Sequence, residues 1–94
     1  MNRMNSKDID RLFEAILTLE TVEECYKFFE DACTVKEIFD IAQRLKAAAM
    51  LKNKESYATV AKETGMSTAT ISRVNKCLEY GGGGYALVLS RTKK

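Results

Sequence analysis

The 94-residue sequence contains neither histidine nor proline, and its three cysteines, Cys25, Cys33 and Cys77, form no CxxC pair. Without histidine or paired cysteines, the usual ligand sets of a zinc site cannot be assembled, so no metal site is expected. An odd number of cysteines makes no complete disulfide framework, and the three read as reduced, mostly buried thiols. The missing histidine also removes the commonest general base. No glycine-rich phosphate loop follows a strand pattern, and no nucleophile has an evident base nearby, so the chain does not read as an enzyme. Glu23 with Glu24, and Glu30 with Asp31, are neighbours in sequence and point apart on a helix. They are solvated charges rather than paired acids. The absence of proline means that long helices meet no proline break.

Long apolar runs are missing too. No uninterrupted apolar stretch exceeds that of Ala47 to Leu51, whereas a membrane span needs roughly 20 residues. The N-terminus is polar and charged through Arg11 apart from Met1, Met4 and Ile9, which is unlike a secretory signal. A cytoplasmic location away from the membrane is expected.

The residues present suit a folded helical protein: 46% are hydrophobic and 30% charged, too apolar for a chain disordered throughout. The length predicts a single domain over residues 1–94 with little core to spare, so association is expected. The formal net charge is only +2 but is unevenly spread. Residues 1–51 hold 7 basic and 10 acidic side chains, net −3, and residues 52–94 hold 8 and 3, net +5. The C-terminal half is the one suited to a polyanion.

Periodicity predicts five helices. Ile9, Leu12, Phe13, Ile16, Leu17 and Leu19 recur at helical spacing over Ser6 to Glu20. Thr21 with Glu24 fits a capping box, opening a helix from Val22 to about Ala32 with Val22, Cys25, Tyr26 and Phe29 on its apolar face. Thr34 with Glu37 repeats the pattern before the longest helix, which carries Val35, Ile38, Ile41, Ala42, Leu45, Ala48, Ala49 and Leu51. Its small residues Ala47, Ala48 and Ala49 permit close approach of another helix. Ser56 caps a short helix, Tyr57 to Thr64, which Gly65 ends, and Ser67 caps another that runs to about Tyr80. Gly81 to Gly84 cannot hold a helix and forms a joint. Tyr85 to Leu89 is left open between short helix and strand, ahead of the basic tail Arg91, Lys93 and Lys94.

The segment from Ser56 to Glu79 thus reads as helix, tight turn, helix. Ala61 is small where two helices cross, Gly65 makes the turn, and Val60, Met66, Ile71 and Val74 form the wedge that fixes the angle between helices. With Ile71, Val74 and Leu78 buried, the second helix presents Ala69, Ser72, Arg73 and Lys76 outward. Taken singly, Thr68, Thr70 and Ser72 are ordinary exposed helix residues. Combined with the turn and the wedge, a small, hydroxylic, basic face predicts a helix-turn-helix that enters the major groove of double-stranded DNA. Candidate contacts are Ser56, Ser67, Thr68, Ala69, Thr70, Ser72, Arg73, Asn75 and Lys76. Ser67 and the free N–H groups behind it suit a phosphate. The weak net charge leaves one rival open, a helical protein–protein interaction module that does not bind DNA.

Gly65 through Leu78, with its core Ala69-Thr70-Ile71-Ser72-Arg73, resembles the recognition segment of the Trp repressor superfamily, and most closely its YerC/YecD branch. Gln43-Arg44-Leu45 and the joint Tyr80-Gly81-Gly82-Gly83-Gly84-Tyr85 extend the resemblance to nearly everything from Thr34 onward. It implies an all-α domain in which residues 1–51 form dimerisation and core helices, 56–79 the helix-turn-helix and 80–94 the joint and tail. It also implies an intertwined homodimer whose paired heads read a pseudo-palindromic operator, as a transcriptional repressor. Arg73, and Arg44 after a one-residue gap in the connection, fall where the Trp repressor holds its amino-acid effector. Val74 departs from that pattern, standing where the Trp repressor has a glycine beside the ligand. Its branched side chain would occupy the space an indole needs. No cofactor is expected, and a small-molecule effector other than tryptophan is left open. Arg73 itself remains open between a DNA contact, an intrachain ion pair and an effector contact.

Overall fold

The computed structural model describes residues 6–92. These form six α-helices and no strand: α1 (Lys7–Ile16), α2 (Val22–Ala32), α3 (Val35–Lys52), α4 (Tyr57–Thr64), α5 (Thr68–Tyr80) and α6 (Gly84–Arg91). No helix among them is long and apolar enough to cross a membrane.

Local polar chemistry sets most helix starts. Ser6, Thr21, Ser56 and Ser67 are extended N-caps whose side-chain oxygens accept from an amide of the first turn, satisfying one of the donors that every helix start leaves free. Before α3 the capping box is complete. The Glu37 amide donates to Thr34 Oγ1 at 3.1 Å and the Thr34 amide donates to Glu37 Oε1 at 2.8 Å. Before α2 the box is shifted by one residue, because Glu24 Oε1 accepts from the Glu20 amide rather than from the cap itself.

The chain divides into two compact units, one ending at Ile38 and one beginning at Phe39. In the first, α1 is shorter than its apolar pattern predicts. Thr18 and Leu19 donate to Ala15 and Ile16 three residues back, and the Thr18 hydroxyl takes the Ala15 carbonyl as well. These tighter i→i−3 bonds close the helix before Glu20. No residue of α1 or α2 is buried.

Among the described residues, the second unit holds all the buried ones. Ala47, Ala48 and Leu51 of α3, Val60 of α4, and Ile71 and Val74 of α5 form one cluster. Met50, Ala61, Met66, Leu78, Tyr85 and Leu89 are half-buried against it. Ala47 and Ala48 have no exposed surface, as expected where small side chains let helices approach closely. α5 packs against both α4 and α6. The segment left open between helix and strand is therefore helical, and Gly84 belongs to its first turn rather than to the joint.

Candidate nucleic-acid interface

The α4–turn–α5 pair is defined by its two ends and its turn. Gly65 stands at φ +75°, the left-handed region that costs a residue with a Cβ about 1–2 kcal/mol. There the chain reverses out of α4, and Ser67 opens α5 two residues later, its Oγ accepting from the Thr70 amide at 3.2 Å. Within the turn, Thr64 Oγ1 donates to the Val60 carbonyl at 2.7 Å and accepts from the Met66 amide at 3.2 Å.

α5 has two contrasting sides. Ile71 and Val74 are buried, and Thr68, Ala69, Ser72, Arg73 and Lys76 are exposed. This outer face is short, hydroxylic and basic. Ser67 is exposed at the head of α5, and Ser56 is exposed at the head of α4 rather than on α5. Two of the expected contacts are set differently. Thr70 and Asn75 are half-buried. Asn75 lies one turn after Ile71, beside the buried stripe. Thr70 begins a second stripe, Thr70, Arg73, Val74 and Cys77, at the i, i+3, i+4, i+7 spacing of one helix side.

That stripe lines a cleft of about 320 Å³, closed on other sides by Arg44 of α3 and Tyr85 of α6. Arg44 and Arg73, which spacing alone could not relate, thus border one space. Val74 forms part of its wall and is only 3% exposed. Cys77 corrects the expectation of buried thiols. It is exposed, because its place on this stripe faces an open cleft rather than the core, whereas Cys25 and Cys33 are half-buried. Among the described residues no group of three or more cysteine or acidic side chains is placed to hold a metal ion.

The support of this site from α3 is not legible in the sequence. Gln43 Nε2 donates to the Thr64 carbonyl at 2.6 Å, and Lys46 Nζ makes a long contact of 3.5 Å with the Glu63 carbonyl. Both acceptors lie at the C-terminus of α4, where carbonyls have no partner within the helix. Gln43 belongs to a recognisable triplet, but nothing in local spacing points to a partner 21 residues away.

Comparison with known proteins agrees with this geometry. The family model described as Trp repressor protein matches residues 7–93. YerC, an uncharacterized protein of Bacillus subtilis (strain 168), is 48% identical over 94 residues, covering 100% of this chain and 90% of YerC. Among solved structures, a TrpR-like protein from Eubacterium eligens ATCC 27750 superposes with a TM-score of 0.89 at 45% identity, covering 97% of each chain. A crystallised candidate Trp repressor from Staphylococcus aureus also gives 0.89, at 51% identity over 94% of this chain and 88% of its own. The six helices thus have the all-α, Trp-repressor-like architecture, and the chain belongs to the Trp repressor family, alongside YerC.

Proposed function

We propose that this chain is a sequence-specific DNA-binding transcriptional repressor, in which α4, the turn and α5 act as a helix-turn-helix that reads the major groove from a homodimer. The observation that carries this reading is the two-sided character of α5. One side is locked into the core through Ile71 and Val74, while Thr68, Ala69, Ser72, Arg73 and Lys76 stand exposed on the other. A recognition helix needs a buried side that fixes its angle and an outer side short enough to sit deep in the groove. Thr68 and Ala69 are suited to thymine methyl groups, and Ser72 and Arg73 to base edges or phosphates. Lys76 is suited to phosphate. Ser56 and Ser67 mark two helix N-termini whose free amides suit the DNA backbone. Thr70 and Asn75, half-buried, border the reading face.

The homodimer has independent physical support. Leu12, Phe13, Leu17, Val22 and Tyr26 are large, apolar and exposed, and exposed apolar surface of this kind marks an association site. A protein-interaction module without DNA binding would use the same surface. It would leave the outer side of α5 without a role. The cleft bordered by Arg44 and Arg73 is proposed to hold a small-molecule effector. Val74 on its wall argues against tryptophan.

Fluorescence titration of labelled duplex over a salt series tests the reading. Affinity is expected to fall linearly in log–log form with salt, because each neutralised phosphate releases counterions. A folded protein with neither duplex binding nor a negative salt slope would overturn it. Calorimetry with tryptophan is expected to show no tight binding, and a micromolar or tighter association would refute the argument from Val74.

A further inference from the structure

We infer that Gln43 is a positioning residue for DNA reading: its side-chain amide, bonded to the last carbonyl of α4, fixes the angle at which α3 holds the α4–turn–α5 head. The inference rests on the DNA-binding reading above and goes beyond it, since Gln43 lies on α3 and belongs to neither α4 nor α5. The core cluster joins α3 to the head through aliphatic contacts alone, Ala47, Ala48 and Leu51 meeting Val60, Ile71 and Val74. Apolar burial is non-directional, so such contacts resist separation better than they resist small rotations. A hydrogen bond is directional and weakens steeply when misaligned. The Gln43 bond is part-buried and 2.6 Å long, and it ends on the residue immediately before the left-handed Gly65. Rotation of the head about the core would misalign this bond.

Lys46, one turn further along α3, reinforces the same point. Its ammonium lies 3.5 Å from the Glu63 carbonyl, where a cation also complements the negative end of the α4 dipole. Two residues of α3 at i and i+3 therefore cap the two last carbonyls of α4 from outside the helix. The Thr64 hydroxyl carries the restraint onward, because it bridges the Val60 carbonyl and the Met66 amide. The bond at Gln43 thus reaches the turn from which α5 starts.

The test compares the wild type with Gln43→Met, which keeps side-chain length and removes the donor, and Gln43→Lys, which restores a donor. Each is titrated with a duplex selected from a random library by the wild-type protein, and with a scrambled duplex of the same composition. The expected result is about a tenfold loss on the selected duplex for Gln43→Met, with unchanged affinity for the scrambled duplex and an unchanged salt slope. Affinity near wild type is expected for Gln43→Lys. A residue that merely maintained the fold would lower both affinities, and a phosphate contact would reduce the salt slope. Either pattern overturns the proposal, as does a Gln43→Met protein that binds the selected duplex like the wild type. In that last case the DNA-binding reading still stands. If the wild type selects no duplex at all, the DNA-binding reading falls and the positioning role falls with it. Amide hydrogen exchange gives a DNA-independent check. Exchange over Gly65 to Ser67 is expected to speed up in Gln43→Met and to return in Gln43→Lys, with Ile71 and Val74 unaffected; no change at the turn would contradict the restraint.

Discussion

Arg73 is exposed on α5 and also borders the cleft that Arg44 lines, so its removal and that of Thr70 have different consequences. Arg73→Ala is expected to weaken DNA binding while leaving helical circular dichroism unchanged. A base contact would show as a loss of about 1–3 kcal/mol at one operator position, and a phosphate contact as a salt slope reduced by about 1. Thr70→Ala acts partly through stability, because Thr70 is half-buried and its hydroxyl lies 3.0 Å from that of Ser67. Urea denaturation should register a loss of about 0.5 kcal/mol, the low end for a hydrogen bond in contact with solvent. Gly65 provides a backbone counterpart. An added Cβ would meet nothing within 4 Å, so the cost of Gly65→Ala is conformational, arising from φ +75°. It is expected to lose about 1–2 kcal/mol. Gly82→Ala, in open space with no left-handed φ, should be neutral or slightly stabilising, because the unfolded chain loses freedom.

The C-terminus of α3 shows how an element can be well capped and still strained. The Glu55 amide donates to the Met50 carbonyl at 3.1 Å and the Lys54 amide to the Leu51 carbonyl at 2.9 Å, the paired 6→1 and 5→2 bonds of a Schellman ending. The left-handed residue in that motif is usually glycine. Here it is Lys54, at φ 67°. Lys54→Gly relieves the Cβ clash, offset by the greater freedom of glycine in the unfolded chain, for a net gain of about 0.5 kcal/mol. Thermal unfolding should rise by roughly 3 °C in a domain of this size; an unchanged or lower midpoint would show that the strain is absent. The helix termini also show how far the fold is legible in the sequence. Serine and threonine caps act within three residues, so the starts of α2, α3, α4 and α5 could be read directly. The end of α1 could not, because Leu17 and Leu19 continue the apolar rhythm past the point where backbone bonds shorten to i→i−3. Tyr85 to Leu89 is an apolar run too short for periodicity to separate helix from strand. That Arg44 and Arg73 line one cleft is suggested by the family resemblance alone, and nothing local points to the bond between Gln43 and Thr64.

At the scale of the whole molecule, α1 and α2 carry exposed apolar side chains that the proposed homodimer would cover. Among the described residues, every buried one belongs to the unit beginning at Phe39. α1 and α2 bury none, and Leu17, Val22 and Tyr26 are 82%, 74% and 60% exposed. Helices of 10 and 11 residues are marginal in water without an apolar face packed on something. Fully covering a large apolar side chain contributes about 1.5–3 kcal/mol, so a homodimer that covers several of them would stabilise these two helices. In a homodimer this stabilisation depends on association, and the unfolding temperature should therefore climb with protein concentration. Light scattering at micromolar concentration is expected to give twice the 10.6 kDa chain mass. Phe13→Asp places a charge among the exposed apolar residues of α1 and should shift the mass toward the monomer, lower helicity and remove the concentration dependence together. A wild-type protein that scatters as a 10.6 kDa monomer and melts at one temperature at all concentrations would contradict the dimer. The DNA affinity of Phe13→Asp should then fall along with dimerisation, because two linked heads bind an operator far more tightly than either head alone.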